Sequence, residues 1–470
     1  MGYVYRPTTA DGIRDVLTLA REKGLQVAPR GGGNSYGDAA TAREHLVLDL
    51  TRMNRILHWD PETGVIRVEP GVTIRQMWQQ GIGDGWWPPV VSGTMLPTLG
   101  GAAAMNIHGK NHFRAGVLGD HILHFDLLLP ATGEVVRCSR QENPDLFFAA
   151  LGGFGVLGVF TEIRLRLRKV HSGLLHANQH VAGNLAEMFE RFEALTAQSD
   201  YAVGWIDGFA KGEALGRGLV QTGQHLAPGE DPRPAQTLRV ASQELPDTLL
   251  GFFPKSVVWR LMKPWMNDFG MRTLNALRYH KSRLIPAPAH TETHAGFQFM
   301  LDYIPHWKRA YGAHGLIQYQ CQVPDTAARE VFREILALCQ HRGLISYLIV
   351  FKRHRADNEY LMSYSVDGWS LALDFKVTTE NRERLWSLAA EMDRIVLGSG
   401  GRFYFAKDST LHPDRLQSFL GEERVQRFLA LKRRVDPENL LQTDLYRRLF
   451  TGAADTTVEA PLPSPLEIPR

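Results

Sequence analysis

The chain contains little cysteine. Its three cysteines, Cys138, Cys321 and Cys339, are scattered along 470 residues and form no C-x-x-C pair. This distribution excludes a disulfide framework and a cysteine-based zinc site, and it is typical of a reducing compartment. The chain also lacks the ~18 consecutive apolar residues of a transmembrane helix, and residues 1–7 carry no apolar core of signal-peptide length. We therefore expect a soluble, cytoplasmic protein.

A large excess of charge is also absent. The 53 Lys and Arg residues nearly balance the 50 Asp and Glu residues, which gives a net charge of +3 and argues against a nucleic-acid partner. With 44% hydrophobic and 22% charged residues, the composition is that of an ordinary globular protein. A chain of 470 residues is too long for one core, so two domains are expected.

Glycine, in contrast, is concentrated in two segments. Residues 30–37 read R-G-G-G-N-S-Y-G, and residues 99–112 read L-G-G-A-A-A-M-N-I-H-G-K-N-H. Both segments have too little side-chain bulk for core positions, but glycine lets backbone N–H groups approach a ligand. Successive N–H groups form an anion-binding nest. Two nests converging on one pyrophosphate predict a dinucleotide cofactor, and the lack of G-x-G-x-x-G indicates a fold other than the Rossmann unit.

Apolar periodicity predicts an α+β protein that changes character after Lys169. Before that point, a helix with Thr8 and Asp11 as its capping box is followed by strands, one of them over 118–129. After it, glycine is sparser, and helices alternate with strands. The predicted helices include one over 185–195 with Asn184 as its N-cap, and one from Asp325 to about Gln340 with Ala328, Val331 and Ile335 on its inward face. The expected division is a cofactor domain over 1–170, a substrate domain over 171–400, a third segment over 401–450, and a Pro-, Ala- and Glu-rich tail over 451–470 that is predicted to be disordered.

The order of motifs in the first part of the chain matches a known family. Between and after the two glycine segments lie strand-like residues 46–50 and 65–72 and the glycines of residues 146–158. In these motifs the chain resembles the FAD-binding domain of the vanillyl-alcohol-oxidase and p-cresol-methylhydroxylase (PCMH) superfamily. The resemblance implies a PCMH-type FAD-binding domain of two subdomains and an α+β substrate (cap) domain. It also implies that the segment over 401–450 crosses back to complete the FAD site.

Three shorter motifs narrow the resemblance. Residues 108–112 read H-G-K-N-H, residues 318–320 read Q-Y-Q, and residues 404–409 read Y-F-A-K-D-S. These motifs resemble the decaprenylphosphoryl-ribose 2'-oxidase family, the flavin subunits of a lipid-linked sugar epimerase. Within G-W-x-L-x-x-D-F this chain has Ala372 where that family often has a cysteine. This difference removes a reactive thiol near the flavin. It also weakens the inference that this chain acts on the same substrate as that family.

The resemblance implies FAD as the cofactor. Members with covalently bound FAD often carry histidine where this chain has Asn34, and an amide cannot attack the flavin 8α-methyl group. No cysteine lies within residues 85–115 for the other known attachment, so we expect non-covalent FAD. The predicted cofactor-binding residues are Arg30, Gly31, Gly32, Gly33, Asn34, Ser35, Gly93, Thr94, Gly100, Gly101, Ala104, Asn106, Gly109 and Gly158.

Lys407, His108 and Tyr36 are the candidate catalytic residues. The resemblance places Lys407 near the flavin, where its charge stabilises negative charge on the reduced flavin or its desolvated amine accepts a proton. The sequence leaves both roles open, and the alternative is a surface lysine paired with Asp408. His108 either enters the substrate pocket or hydrogen-bonds its own loop.

The pair His108 and His112 is also a weak candidate for a metal site. Two histidines at i, i+4 bind a metal when they lie on a helix beside an acidic third ligand. Gly109 argues against a helix there, so no metal is predicted.

Polar residues on predicted strands are the candidate substrate contacts. Gln318 and Gln320 lie at i, i+2 and therefore share one strand face. Together with Lys352, which ends another strand, they form either a binding surface for hydroxyls or phosphate or a solvated polar face. Lys110 and Tyr404 complete the predicted substrate-binding residues.

The segment over residues 249–265 combines large aromatic and basic residues. Pro254 and Pro264 limit any helix in it to about two and a half turns. Three interpretations fit: an interfacial segment that contacts a membrane and admits a lipid-linked substrate, a helix packed on its own domain, or a partner-binding patch. The residues concerned are Phe252, Phe253, Trp259, Trp265, Lys255, Arg260 and Lys263.

The leading functional hypothesis is an FAD-dependent oxidoreductase that converts a secondary alcohol of a sugar to a keto sugar by hydride transfer to flavin N5. The resemblance extends the hypothesis to a polyprenyl-phosphate-linked pentose and to a partner keto-reductase that completes an epimerisation. An aldonolactone or alditol oxidase, or a sterol-type reductase, on the same scaffold is the second hypothesis. A non-catalytic flavoprotein is a third, but simple FAD binding requires neither His108 nor Lys110 nor Lys407.

Overall fold

Residues 3–249, 251 and 253–451 are described by the computed structural model of the protein. A small parallel sheet opens the chain, with the strand order β1-β3-β2. Its strands are β1 (Tyr3–Tyr5), β2 (Val27–Arg30) and β3 (Leu46–Asp49). Phe252 and residues 452–470 of the tail, for which disorder is predicted, lie outside these ranges.

Helix α1 (Ala10–Lys23) packs on this sheet through Ile13, Val16, Leu17 and Ala20. The predicted capping box at Thr8 is wrong by one residue. Thr9 is the N-cap, and its hydroxyl accepts a hydrogen bond from the Gly12 N–H, because a cap needs its side-chain oxygen near the N–H three residues later.

A five-stranded antiparallel sheet forms the second part of the cofactor domain, with the order β4-β5-β9-β7-β8. A predicted strand over 118–129 begins later, because residues Leu118–His121 form a 3-10 turn in which Asp120 accepts a hydrogen bond from the Val117 N–H. The strands are β4 (Ile56–Asp60), β5 (Val65–Val68), β7 (Ile122–Leu128), β8 (Val135–Ser139) and β9 (Val159–Arg166). A separate short pair joins β6 (Trp86–Trp87) to β10 (Arg168–Lys169).

The second glycine segment is buried and its first part is helical, which corrects the expectation that it is too small for the core. Leu99, Gly100 and the alanines after Gly101 form a buried helix, because alanine favours helix and small residues permit close approach. A Cβ at Gly100 would lie 2.7 Å from the Pro70 Cβ. The helices of this domain are α2 (Ile74–Gly81), α3 (Leu99–Ala104), α4 (His112–Ala115) and α5 (Pro144–Ala150).

An eight-stranded antiparallel sheet dominates the rest of the chain, in the order β16-β11-β13-β12-β18-β19-β17-β20. Three long helices pack on one of its faces, and two of them contact Phe351 through Phe189 and Phe332. Its strands are β11 (Leu174–Ala182), β12 (Tyr201–Ile206), β13 (Gly218–His225), β16 (His290–Thr293), β17 (Leu316–Pro324), β18 (Leu348–His354), β19 (Gly368–Lys376) and β20 (Arg402–Phe403).

Two of those helices follow the sequence prediction closely. Helix α6 (Leu185–Thr196) has Asn184 as its N-cap, and helix α12 (Asp325–His341) buries Ala328, Val331 and Ile335 as expected. The third, α13 (Arg382–Gly398), was not predicted. The smaller elements between β13 and β17 are α7 (Pro234–Thr237), α8 (Val240–Gln243), β14 (Thr248–Leu249), β15 (Phe253–Pro254), α9 (Lys255–Met262), α10 (Asp268–Leu284) and α11 (His294–Gln298).

The last part of the chain ties the two large units together. It leaves the eight-stranded sheet at β20, and Ala406 then accepts a hydrogen bond from the Tyr36 N–H at 2.9 Å. Further on, Leu441 pairs in parallel with Val27 at the edge of the small sheet. The helices of this segment are α14 (Pro413–Leu420), α15 (Glu422–Val435) and α16 (Asp444–Phe450).

Candidate active site

The two glycine segments meet, as their sequence predicts. Gly31 lies against the side chain of Thr98, the residue before α3, and a Cβ on Gly31 would clash with the Thr98 hydroxyl. A Cβ on Gly32 would lie 3.0 Å from the Leu96 carbonyl oxygen. Gly33 has φ +62 and folds over the Arg30 guanidinium. The close approach of two backbones is therefore what the glycines allow.

Unused hydrogen-bond donors line this junction. The backbone N–H groups of residues 31–35 donate to no other described residue, and the buried Thr98 hydroxyl has no hydrogen-bond partner among them. Buried donors of this kind are normally satisfied, and a run of backbone N–H groups forms a cradle for an anion. The junction therefore fits the pyrophosphate of FAD, with residues 31–35 and Thr98 as the groups that would hold it.

Several other predicted cofactor residues have partners within the protein. The Thr94 hydroxyl donates to Asp302 at 2.6 Å, and the neighbouring Gly93 carbonyl accepts from the Leu301 N–H at 3.2 Å. Asn106 adopts φ 41, and its side-chain oxygen accepts from the Gly119 N–H at 2.8 Å. These residues shape the backbone around the cradle.

Three small residues in the predicted cofactor set pack closely against other elements. Ala104 is buried in α3. A Cβ on Gly109 would lie 3.0 Å from the Val91 carbonyl oxygen, and one on Gly158 would lie 2.6 Å from the Leu127 Cγ. At both glycines a side chain would collide with its neighbour.

His108 joins the cofactor domain to the eight-stranded sheet. Its Nε2 lies 2.9 Å from the Gln320 side-chain nitrogen. An amide nitrogen can only donate, so the imidazole accepts and is neutral. Burial, with nearby Lys352 adding to it, holds the pKa of His108 well below its usual value. The contact crosses between domains, which differs from the alternative of a histidine bonded to its own loop.

His112 and His354 pack beside His108 in a buried cluster. The ring centroids of His108 and His354 are 4.9 Å apart, and those of His112 and His354 are 4.4 Å apart. Burial, with smaller effects from nearby cations, lowers the pKa of His112 to about 3, so the cluster is uncharged at neutral pH. Among the described residues, no group of three or more His, Cys, Asp or Glu has the arrangement of a metal site.

Tyr36 lies between two lysines. The Lys407 Nζ is 3.6 Å and the Lys308 Nζ 3.9 Å from the Tyr36 ring centroid. Burial and the charge of Lys308 hold the pKa of Lys407 well below its usual value, while Asp374 opposes the shift. The alternative of a surface lysine paired with Asp408 is wrong, because the Asp408 carboxylate bonds the backbone of residues 410 and 411 and the side chain of Arg448.

The face of the eight-stranded sheet opposite its helices is polar near this point. Strand alternation and register place three residues of β17 beside alternate residues of β19 and β18. Ala372, opposite Gln320, leaves a small gap in this surface. We call it the polar wall; it consists of Gln318, Gln320, Gln322, Ser370, Asp374 and Lys352.

Asp374 is the functional candidate that the sequence analysis missed. It is fully buried, and one carboxylate oxygen accepts a hydrogen bond from the Gln318 amide. The other oxygen has no hydrogen-bond partner in the described part of the chain. Burial raises the pKa of Asp374 to about 7, against the opposing effects of Gln318 and Lys407. The signal was available, because Asp374 is the acidic residue of G-W-x-L-x-x-D-F and lies on the inward face of an apolar strand. Lys308, in a 3-10 turn, had no such motif.

The remaining residues predicted to bind substrate differ in whether their side chains already have partners within the protein. The Lys110 ammonium donates to the Phe297 and Gln298 carbonyls, and burial lowers its pKa to about 7. Lys352 has no ion pair within the described residues, and burial lowers its pKa to about 8. The Tyr404 ring lies 5.0 Å from that of His108. The Tyr404 side chain therefore lies close to the polar wall, and the Lys352 ammonium within that wall remains available to a substrate.

The fold and this site together define an FAD-dependent oxidoreductase of the vanillyl-alcohol-oxidase and PCMH superfamily, acting on CH–OH groups. The family model for an FAD binding domain matches residues 1–139. The chain is 33% identical over 441 residues to the decaprenylphosphoryl-β-D-ribose oxidase of Mycolicibacterium smegmatis, covering 93% of this chain and 92% of that one. The chain belongs to the family of that oxidase.

Two other proteins are also similar to this chain. The L-gulonolactone oxidase of Mus musculus is 30% identical over 162 residues, or 34% of this chain and 36% of its own length. The solved structure of 6-hydroxy-D-nicotine oxidase from Arthrobacter nicotinovorans superimposes with a TM-score of 0.64 at 18% identity, covering 93% of this chain and 90% of that one. That last likeness is one of fold alone. The predictions of superfamily, fold class, FAD and enzymatic activity are confirmed.

Proposed function

We propose that the protein oxidises a secondary hydroxyl of a sugar to a ketone, and that its substrate is a pentose linked to a polyprenyl phosphate. The polar wall carries this proposal. Its amides suit sugar hydroxyls, its free carboxylate oxygen suits proton removal, and its unpaired ammonium suits a phosphate. The similarity to a decaprenylphosphoryl-β-D-ribose oxidase over nearly the whole chain supports the same substrate class.

Oxidation of an alcohol removes one proton from oxygen and one hydride from carbon. The FAD, when bound, supplies the hydride acceptor at its N5 atom. Asp374 takes the hydroxyl proton in its ionised form, since one of its oxygens is held by Gln318 and the other has no hydrogen-bond partner among the described residues. Lys407 and Lys308 place positive charge beside Tyr36, where it stabilises negative charge that develops during the reaction.

Lys352 favours a phosphorylated substrate. A buried ammonium without a partner is costly, and the depression of its pKa to about 8 reflects that cost. A substrate phosphate supplies the missing counter-charge. Lys110 is less suited to this role, because two carbonyl groups already accept from its ammonium.

The product of this reaction is a keto sugar that still carries its lipid. Reduction of the ketone from the opposite side would give the epimer, so the proposal includes a separate keto-reductase as a partner. It also includes a cytoplasmic location, where a nicotinamide-dependent reductase has its cofactor.

An aldonolactone oxidase is the second candidate. The match to L-gulonolactone oxidase favours it, although that match covers about a third of either chain. A lactone carries no phosphate, so it provides no counter-charge for Lys352. Dependence on Lys352 therefore distinguishes the two candidates.

Anaerobic bleaching of the flavin tests the proposal. The holoenzyme is mixed with a short-chain polyprenyl-phosphate pentose, an aldonolactone or an alditol, and flavin absorbance is followed by stopped flow. We expect rapid bleaching with the phosphorylated pentose, and a KM for it that rises in Lys352→Met. Faster bleaching with the lactone, at a rate unaffected by Lys352→Met, would support the second candidate and contradict the first.

A further inference from the structure

The outer surface of α9, α10 and the 3-10 turn between them is unusually apolar for a solvent-exposed face. Seven large apolar side chains in residues 261–285 are 43–78% exposed. Surface hydrophobic residues are ordinarily scattered singly, and a contiguous set marks an interaction site. The seven residues are Leu261, Trp265, Phe269, Leu274, Leu277, Leu284 and Ile285. We call this surface the α9–α10 face.

The apolar residues of α10 form a stripe. At 100° per residue, Phe269, Leu277 and Leu284 fall within one sector of about 80° around the helix. They are 77%, 62% and 78% exposed, respectively. The opposite side of the same helix is buried at Asn275 and Tyr279. Helix α10 is therefore held to the protein by one side and presents an apolar stripe on the other.

The charged residues of this region are almost all positive. Residues 253–285 contain seven Lys or Arg and one Asp, a net charge of +6, whereas the whole chain carries +3. The rest of the chain is thus −3, and the positive charge of the protein is concentrated where its exposed apolar side chains are. Exposed cations of this region include Arg260, Lys263, Lys281 and Arg283.

The inner side of the same segment leads to the active site. Trp259 and Met262 of α9 pack in a small core with Tyr311 and Tyr347. Tyr311 ends the turn that carries Lys308, whose ammonium lies over Tyr36. The side chains of the segment over 249–265, for which one interpretation is an interfacial segment, therefore point in two directions. Trp259 packs inward and Lys255 is buried beside Tyr303, while Leu261 and Trp265 face outward.

We propose that the α9–α10 face docks the protein on the surface of a membrane that contains anionic phospholipids. An interfacial segment needs an apolar stripe to insert among the acyl chains and cations to meet the headgroups, and this face has both. None of the helices that the structure describes can span a bilayer, so the contact is peripheral. Docking in this orientation presents the turn containing Lys308, and the polar wall behind it, to a lipid-linked substrate.

The charge of the α9–α10 face also argues against a second copy of the chain as its partner. A symmetric dimer through this face would bring two surfaces of net positive charge together, which is unfavourable. A membrane with anionic lipids has the complementary sign. The inference uses the proposed function only for where the lipid tail lies, and binding to vesicles is independent of turnover.

Vesicle co-sedimentation tests the proposal with the full-length holoenzyme. We expect binding to vesicles of phosphatidylcholine with 30% phosphatidylglycerol and at least about tenfold weaker binding to phosphatidylcholine alone, since each cation near an anionic surface contributes several-fold. The triple variant Phe269→Ser, Leu277→Ser and Leu284→Ser should bind at least about 100-fold more weakly, because each large apolar side chain is worth about tenfold.

Matched variants separate this surface from general effects. Leu123→Ser with Val135→Ser makes the same chemical change at exposed positions elsewhere and should leave vesicle binding unchanged. Lys263→Glu with Lys281→Glu should abolish the preference for anionic vesicles, whereas Lys23→Glu with Lys211→Glu should not. Retained FAD absorbance shows that each variant is folded.

Three results would overturn the proposal. The first is no binding to anionic vesicles by the unmodified protein. The second is equal weakening by the α9–α10 and the control variants. The third is a dimer in analytical ultracentrifugation that the triple variant dissociates, which would identify a second copy of the chain as the occupant. Loss of sugar oxidation with vesicle binding intact would contradict the proposed function and leave this inference standing.

Discussion

At the scale of single residues, Asp374 decides how the site responds to pH. Its carboxyl is buried, and its pKa is raised to about 7, so it is mostly protonated below that pH and ionised above it. A group that must accept a proton works only when ionised. We predict that the rate of flavin reduction rises with pH through about 7.

Asp374→Asn should lower that rate by about 10²–10⁴-fold and remove its rise with pH. Stopped-flow bleaching between pH 5 and 9 measures both effects. Gln322→Glu, a change on the same polar wall, serves as the control for altered charge in the pocket. A variant Asp374→Asn that keeps the rate and pH profile of the unmodified enzyme would contradict the assignment.

Lys407 has two roles open to it, and substitution separates them. Lys407→Ala should reduce flavin bleaching by about 10²–10³-fold, with FAD content unchanged. Lys407→Arg keeps the charge but cannot act as a base, because the guanidinium stays protonated. Recovery of at least a tenth of the rate in Lys407→Arg is the expected outcome of an electrostatic role. If both variants are equally inactive, Lys407 is the proton acceptor, and if both are active it contributes little.

We expect Asn34 to leave FAD without a covalent bond. An amide at this position offers no nucleophile to the flavin, and the backbone N–H groups of residues 31–35 would hold a phosphate by hydrogen bonds alone. We predict that acid precipitation releases all yellow colour to the supernatant. Absorbance spectra of pellet and supernatant give the answer, and flavin that stays with the protein would contradict the prediction.

At the scale of elements, the register of β17 with β19 makes the polar wall testable by chemistry. Ala372 lies opposite Gln320 on that face. The three native cysteines are buried, and burial raises the pKa of each thiol to about 12, so they react slowly. We predict that Ala372→Cys is labelled by iodoacetamide at least tenfold faster than the unmodified protein, and that substrate protects it.

Mass spectrometry of the labelled peptide identifies the site of that reaction. Leu371→Cys places a thiol on the helix-covered side of the same strand, where the side chain is fully buried, and it should stay unlabelled. Labelling of both positions would show that the strand is not held in this register.

The elements also show what sequence can and cannot reveal. The helix over 325–341 was predictable because its apolar residues recur at helical spacing and Pro324 fixes its start. Helix α3 was misjudged, because glycine and alanine carry no periodic signal when packing partners are distant in sequence. Lys407 and Gln320 were identified through sequence motifs. Asp374 also lies within a motif, but the role of a single acidic residue in a strand becomes clear only when its pairing with Gln318 is known.

The surface of α10 was also beyond the sequence analysis. Its apolar residues do recur at helical spacing, but such a stripe normally marks a core-facing side. Here the core side carries Asn275 and Tyr279 instead. Only the folded chain distinguishes a stripe that packs inward from one that stays exposed.

At the scale of the whole molecule, Arg448 connects the end of the chain to both parts of the active site. Its guanidinium bonds Asp38, next to the first glycine segment, at 2.8 and 2.9 Å, and Asp408, next to Lys407, at 2.8 Å. We predict that Arg448→Met lowers the free energy of unfolding by about 3 kcal/mol, since it leaves the buried Asp408 carboxylate and the partly buried Asp38 carboxylate without a cation.

The same variant should release FAD faster on dialysis. Thermal or urea unfolding and flavin fluorescence of the dialysate measure the two effects. Arg333→Met, which breaks an exposed pair with Glu330, should change the unfolding free energy by less than about 1 kcal/mol. Equal stability of the two variants would contradict this role of Arg448.

The pairing of Leu441 with Val27 has a consequence for the order of events during synthesis. The strand that leads into the phosphate cradle emerges from the ribosome early, but its edge partner follows about 400 residues later. A nascent chain therefore lacks this pairing until Leu441 has been made, and we expect cofactor capture to follow that step. A product terminated before Leu441 should then stay colourless.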